Sequence, residues 1–266
     1  MPRLSIAVFA GLLGLRLVAA SPAGWTQTPS ASAPAPGPAL VAQASPAPPP
    51  ALPPDPAEVR LHQDWAWLGR YQAADQALIA AGARPDVVFL GDSITQGWPD
   101  KTPAYFRPGY VARGISGQTS PQLLVRFRQD VIDLNPRAVH IMIGTNDIAS
   151  NTGPMTLAQT EANLETLTEL AQAHHIQVIL ASVTPAARFP WRPGVETAQK
   201  IQALNAWIRA YAARVGAIYA DYTSVLDDGA GGMKPGMAYD GVHPTAAGYL
   251  AIEPVTERAI AQALGR

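Results

Sequence analysis

Beyond residue 57 the apolar positions of the chain follow two alternating periods. Short segments that are apolar at nearly every position fall at 86–90, 110–113, 138–144, 177–183 and 217–221. Such runs between turn formers read as buried strands, the 110–113 segment being the weakest. Between them apolar residues recur every three or four positions, as on one face of a helix. Leu61, Trp65 and Leu68 keep that spacing, as do Ala74, Ala77 and Leu78 beyond Gly69. Ser120 and Pro121 read as the N-cap and first residue of a helix with Leu123, Leu124, Phe127, Val131 and Leu134 on one side. Thr156 with Gln159 forms a capping-box pattern for a helix through about His174. Two more helices are predicted over about 196–215 and 245–264. Strands with no polar face, each followed by a helix, belong to a parallel sheet covered on both sides. Right-handed crossovers then predict an α/β chain folded as a three-layer α/β/α sandwich around five strands. In such a fold, ligands gather beyond the carboxyl ends of the strands.

The first 56 residues follow neither period. MPR is a short basic start, residues 4–20 are apolar apart from Ser5 and Arg16, and Val18-Ala19-Ala20 supplies small residues for cleavage. Residues 1–20 therefore read as a secretory signal peptide, which places the protein in the periplasm or outside the cell and leaves no stable membrane anchor. Arg16 interrupts the apolar run, so an uncleaved anchor is the alternative. Residues 21–56 are mostly Ala, Pro, Ser and Gly, with nearly half of the chain's 26 prolines. Such a segment buries too little to offset its ordering entropy and reads as a disordered linker. A single domain is expected over 57–266.

Composition narrows the chemistry. Nineteen basic and 20 acidic side chains leave a formal charge of −1, and no basic stripe is visible, which argues against nucleic acid as a partner. The absence of cysteine removes thiol nucleophiles, thiolate metal sites, disulfides and lipid attachment to an N-terminal cysteine. No clustered ligand set such as H-E-x-x-H is present, so no metal is expected.

Polar residues concentrate where the predicted strands end. Gly91-Asp92-Ser93 closes the first, Arg113 through Thr119 follows the second, Gly144-Thr145-Asn146-Asp147 follows the third, and Asp240-Gly241-Val242-His243-Pro244 precedes the last helix. Each alone is an ordinary turn, and Ser93 alone reads equally as a helix cap. Together they hold what ester cleavage requires. A serine hydroxyl needs a base, and the base needs an orienting carboxylate. Asp240 and His243, three residues apart, allow the carboxylate to reach one ring nitrogen while the other faces Ser93. The Ser93 N–H at a helix start, the Gly117 N–H with no side chain in the way, and the Asn146 amide are candidate oxyanion donors.

GDSIT, the glycine of SGQT, GTND and DGVHP stand in the order and approximate spacing of the SGNH hydrolases, or GDSL esterases/lipases, and the chain from about Pro85 onward resembles that family. The similarity is greatest to small bacterial acylhydrolases like the catalytic subunits of platelet-activating-factor acetylhydrolase. The resemblance implies a flavodoxin-like sheet, no metal or organic cofactor, Ser93 as nucleophile, His243 as base, Asp240 as its orienting acid, and Ser93, Gly117 and Asn146 around the oxyanion. The G-x-S-x-G elbow of another esterase fold is absent.

The remaining candidates have plainer readings. Asp92 and Asp147 are expected to hold turns, His140 to lie in the core, His174 and His175 to suit a helix C-terminus, and Trp65, Trp67 and Trp207 to pack. The aromatics of the proline-rich 187–194 loop, Phe189 and Trp191, are candidates for lining an acyl or leaving-group pocket, with a merely structural lid as the equal alternative, and Trp98 is a similar candidate. A pocket closed by them would be small and favour short acyl chains. The expected activity is hydrolysis of small carboxylic esters, O-acetyl groups on carbohydrate among them. Thioester or lysophospholipid hydrolysis by the same groups is the enzymatic alternative. A non-catalytic glycan- or lipid-binding module would not need the base.

Overall fold

The computed structural model describes residues 55–266. The expected signal peptide, and all but the last two residues of the expected linker, lie outside the described residues. The described chain opens with helices α1 (Pro56–Gln63) and α2 (Gln72–Ala80), then alternates: β1 (Val87–Gly91), α3 (Ser93–Lys101), β2 (Tyr110–Gly114), α4 (Ser120–Phe127), β3 (Ala138–Met142), α5 (Thr145–Ile148), α6 (Leu157–Ala173), β4 (Gln177–Ala181), α7 (Thr197–Val215), β5 (Ile218–Ala220), α8 (Thr223–Leu226) and α9 (Ala246–Leu264). The five strands form one parallel sheet in the order β2-β1-β3-β4-β5. This is the flavodoxin-like order, whose switch point lies beside β1.

The absence of a polar face on the strands is explained by two cores, one on each side of the sheet. Val88, Leu90, Val139, Ile141, Val178 and Leu180 point to one side, where Leu123 and Phe127 of α4, Leu164 and Leu167 of α6, and Ile201, Leu204 and Ile208 of α7 cover them. Val87, Phe89, Ala138, Met142, Ile179 and Ala181 point to the other, under Ile94 and Trp98 of α3 and Tyr249, Ile252 and Val255 of α9. Alternate residues of each strand thus feed different cores, as the two-residue period of a strand dictates.

Helix starts follow their caps. Asp92 caps α3 by accepting from Ile94 N–H. Thr156 and Gln159 make the capping box of α6, and Thr245 caps α9. The cap of α4 is Thr119, paired with Gln122, one residue before the expected Ser120. Ser120 instead sits in the first turn, and its hydroxyl goes to Asp147. Helical apolar spacing runs on past α4 to Leu134, but the chain there follows a π turn over Arg128–Ile132.

The largest departure lies at 61–71. The apolar spacing there does not make a buried helix face: Leu61, Trp65 and Leu68 are exposed, and Trp67 takes a left-handed conformation (φ 54°) between α1 and a 3-10 turn. Trp65 and Trp67 therefore stand outside helices, while Trp207 lies on α7 as expected. The segment is held by its backbone. Gln122, Gln118 and Gln129 donate side-chain N–H bonds to the carbonyls of Trp65, Ala66 and Leu68 at 2.8, 2.7 and 2.7 Å. Propensity and spacing cannot register such non-local bonds.

His140 is fully buried in β3, as expected of a core histidine. Its Nε2 shares a 2.7 Å hydrogen bond with the Tyr222 hydroxyl, which is also bonded to Thr256. Burial pushes its pKa down to about 3. In the unfolded chain this imidazole takes a proton below about pH 6.5. Its stabilising contribution is therefore complete above that pH and is lost as pH falls toward 3, by about 1.4 kcal/mol per unit. Relative to a His140→Gln variant, wild type should lose unfolding free energy at about that rate between pH 6.5 and 4, as measured by urea denaturation.

Candidate active site

The carboxyl ends of β1, β2 and β3 meet at the switch point, and the polar segments gather there. Ser93 is the first residue of α3, directly after the Asp92 cap that ends the β1 turn. This corner is tight. A Cβ on Gly114, at the end of β2, would come within 2.1 Å of Gln96 N and 2.7 Å of Asp92 O, so only glycine lets β2 lie this close to the start of α3.

His243 arrives from the loop before α9. Its Nε2 lies 2.9 Å from Ser93 Oγ and its Nδ1 2.7 Å from Asp240 Oδ2. An ionised carboxylate can only accept, so Nδ1 carries the proton and Nε2 accepts from the serine hydroxyl. The other Asp240 oxygen accepts from the backbone N–H groups of Val242 (2.9 Å) and His243 (2.8 Å). Partial burial raises the Asp240 pKa, but the His243 and Val242 N–H bonds and the His243 ring outweigh this and hold it below the usual carboxylate range.

The expected oxyanion donors differ in how free they are. The N–H groups of Ser93 and Gly117 meet no hydrogen-bond acceptor among the described residues. Gly117 has φ +77°, and a Cβ there would meet no atom within 4 Å, so space is open beside its α-carbon. Asn146 is less free than expected. Its Nδ2 donates to Gln118 O at 2.9 Å and to Asp92 Oδ2 at 3.3 Å, while its Oδ1 accepts from Asn151 Nδ2 at 2.7 Å. An oxyanion can recruit this amide only in place of the long, weak bond to Asp92. Asp92 is wholly buried, and burial pushes its pKa up to about 7 despite the lowering effects of the Ile94 N–H and of His243. Asp147 anchors its loop by accepting from Ser120 N–H and from the Ser120 hydroxyl, and burial raises its pKa.

Three groups with no assigned role in the sequence hold this frame. Arg126 is wholly buried. Its Nη2 donates to Gly91 O (2.9 Å), its Nε to Gln118 Oε1 (2.7 Å) and its Nη1 to Asp130 Oδ2 (2.7 Å). Gln118 also holds Ala66 through its amide and Asn146 through its carbonyl. Asn151 links Asn146 to Trp191, whose Nε1 donates to Asn151 Oδ1 at 3.1 Å. The visible signal for Arg126 was a charge on the apolar face of α4, four residues before an aspartate.

The expected pocket aromatics divide. Trp98 does not line a pocket: it is fully buried, stacked between Tyr105 and Tyr249 at 5.3 and 5.5 Å. It faces the core because it sits on the side of α3 that covers Phe89 and Met142. Phe189 is also a core residue, packed under the sheet's other face, and its ring supports Trp191 at 5.1 Å. Trp191 alone stands at the site, exposed, 6.2 Å from the His243 ring.

A family model described as the GDSL-like lipase/acylhydrolase family matches residues 89–251, a span that includes Ser93, Gly117, Asn146, Asp240 and His243. The chain belongs to this family. The GDSL-like acylhydrolase fold is shared with a GDSL-like lipase from Bacteroides thetaiotaomicron, 44 % identical, over 75 % of this chain and 100 % of that one, with a TM-score of 0.71. Esterase TesA of Pseudomonas aeruginosa is 28 % identical over 66 % of this chain and 83 % of its own length. A shorter match, 34 % identical over 38 % of this chain, covers about half of the uncharacterised lipoprotein YqeF of Bacillus subtilis. This GDSL-like acylhydrolase is thus a carboxylic ester hydrolase of the SGNH group. Among its described residues no helix is long and apolar enough to cross a membrane.

Replacing Arg126 by Met would leave Asp130 as an unpaired buried charge and remove both ties to the rim. The expected loss is about 3–5 kcal/mol of unfolding free energy. Urea denaturation of the single variant, and of a double variant that also carries Asp130→Leu, checks this: the double variant should be the more stable of the two.

Proposed function

We propose that this GDSL-like acylhydrolase cleaves short-chain carboxylic esters through an acyl-enzyme on Ser93. The observation that carries the reading is the continuous line from Ser93 Oγ to His243 Nε2 to Asp240 Oδ2 (2.9 and 2.7 Å). His243 takes the serine proton as the oxygen attacks the ester carbonyl, and Asp240 steadies the imidazolium. The carbonyl oxygen becomes an oxyanion facing the N–H groups of Ser93 and Gly117, and the Asn146 amide turns to it from Asp92. The proton then passes from His243 to the leaving oxygen. A water molecule, deprotonated by the same imidazole, hydrolyses the acyl-enzyme.

The case for a short acyl group no longer rests on Trp98 and Phe189. It rests on polarity. The candidate oxyanion donor Asn146 is bonded to the Gln118 carbonyl and to Asn151, all polar groups. Among the described residues, none of five cavities of about 210–490 Å³ is lined by Ser93, Gly117, Asn146 or His243. A long acyl chain calls for an enclosed apolar lining beside the nucleophile, and none of these five includes it. We further propose that the enzyme works outside the cytoplasm. The signal-like N-terminus supports this, as does similarity to a Bacillus protein named as a lipoprotein.

A fluorophosphonate should label wild type and not Ser93→Ala, and kcat of that variant should fall by about 10⁴- to 10⁶-fold. Loss of one oxyanion donor in Asn146→Ala should lower kcat by about 10²- to 10³-fold. On p-nitrophenyl esters, acetate and butyrate should be turned over faster than decanoate and longer chains. Labelling that survives in Ser93→Ala would overturn the nucleophile, and a preference for long chains would overturn the acyl assignment.

A further inference from the structure

Two exposed aromatic rings flank the His243 imidazole, and the acyl-transfer steps make no use of them. Tyr239 lies nearly parallel to it, 5.5 Å between centroids and 16° between planes; Trp191 stands at 6.2 Å and 36°. Tyr239 is 65 % exposed and Trp191 41 %. Large apolar surface left open at a reaction centre marks contact with a ligand rather than packing. Trp191 is held firmly in this open position. It stacks on buried Phe189 and donates from Nε1 to Asn151, while the neighbouring Arg192 donates to the carbonyls of Ala149 and Ser150 at 2.7 and 2.9 Å. A ring fixed in advance loses little freedom when a ligand settles on it.

The reaction geometry says which part of the substrate meets these rings. His243 delivers its proton to the leaving oxygen, so the alcohol half of the ester must lie against the imidazole, while the carbonyl oxygen points toward Ser93 and Gly117. The rings border the imidazole, and therefore the alcohol. Their surroundings are polar: the Asp240 carboxylate lies beside the imidazole, the Asn151 amide is bonded to Trp191, and the Lys101 ammonium is 6.0 Å from the centre of the Tyr239 ring. A lipid alcohol calls for enclosed apolar lining. An open pair of aromatic faces edged by polar groups suits an alcohol with an apolar C–H face and a hydroxylated rim, which describes a pyranose ring.

We propose that Trp191 and Tyr239 form a stacking platform for a sugar ring, and that the enzyme removes O-acetyl groups from pyranosides. The inference rests on the serine-esterase reading and adds the identity of the alcohol.

The test compares kcat/KM for three unactivated acetyl esters with the purified enzyme: a mono-O-acetylated methyl glucopyranoside, ethyl acetate and benzyl acetate. Wild type should prefer the acetylated pyranoside to both others by about tenfold or more. Trp191→Ala and Tyr239→Ala should each lower the pyranoside-to-ethyl ratio at least threefold, through KM more than kcat. Trp191→Phe, which keeps a ring but loses the Nε1 donor, and Tyr239→Phe should retain most of the preference. A ratio unmoved by removal of either ring overturns the platform. A preference for benzyl acetate equal to that for the pyranoside overturns the sugar and points to an aryl alcohol. Turnover of ethyl acetate and fluorophosphonate labelling of wild type, with no preference for the pyranoside, would overturn this inference alone. Absence of both would remove the serine mechanism beneath it.

Discussion

A guanidinium sealed beneath the rim of the sheet is the constraint on which the arrangement above it depends. Arg126 ties together three segments: the last residue of β1, the loop after β2 and the π turn that follows its own helix. A planar fork with fixed donor directions sets the spacing between those segments in a way that apolar packing cannot. Gly91 is two residues before Ser93, and Gln118 is one after Gly117. The separation of the two unpaired N–H groups is therefore set from below by one side chain. Such an ion pair is weak evidence for added stability compared with an apolar pair of equal volume. What it contributes here is position.

The same logic extends outward through amides. Gln118 receives the Arg126 donor, passes its own N–H to Ala66 and accepts from Asn146 through its carbonyl. Asn146 in turn accepts from Asn151, and Asn151 from Trp191. Neutral hydrogen-bonded links of this kind transmit placement from the N-terminal segment to the aromatic loop without burying further charge. The tightly packed glycine at 114 completes the frame by letting α3 and β2 nearly touch.

How much of this was legible in the sequence depended on whether the cause was local. The strands were readable because two-sided burial leaves an apolar run at 87–91 and 138–142 with turn formers at each end. Ser93, Asp240 and His243 were readable because a sheet of this kind gathers its strand ends, and Asp240 and His243 are only three positions apart. The segment around Trp67 was misread, since its apolar spacing was not matched by a surface to cover it, and three glutamines decide its path. Trp98 and Phe189 were misplaced for a related reason. Aromatic character and nearness in sequence to the site do not say which side of the helix or loop faces the core. The hold of Gln118 and Asp92 on Asn146 had no sequence signature, because it joins three separate turns.

Asp240 bonds to the ring nitrogen and to two backbone amides within a span of four residues. Base and carboxylate are consequently held as one unit on the 238–244 loop, whereas the nucleophile opens α3 directly after β1. Thermal motion of that loop displaces imidazole and carboxylate in concert. A shift of the loop would change the gap to the hydroxyl but keep their mutual alignment, so it would interrupt proton transfer from the alcohol without disturbing the tautomer that accepts the proton.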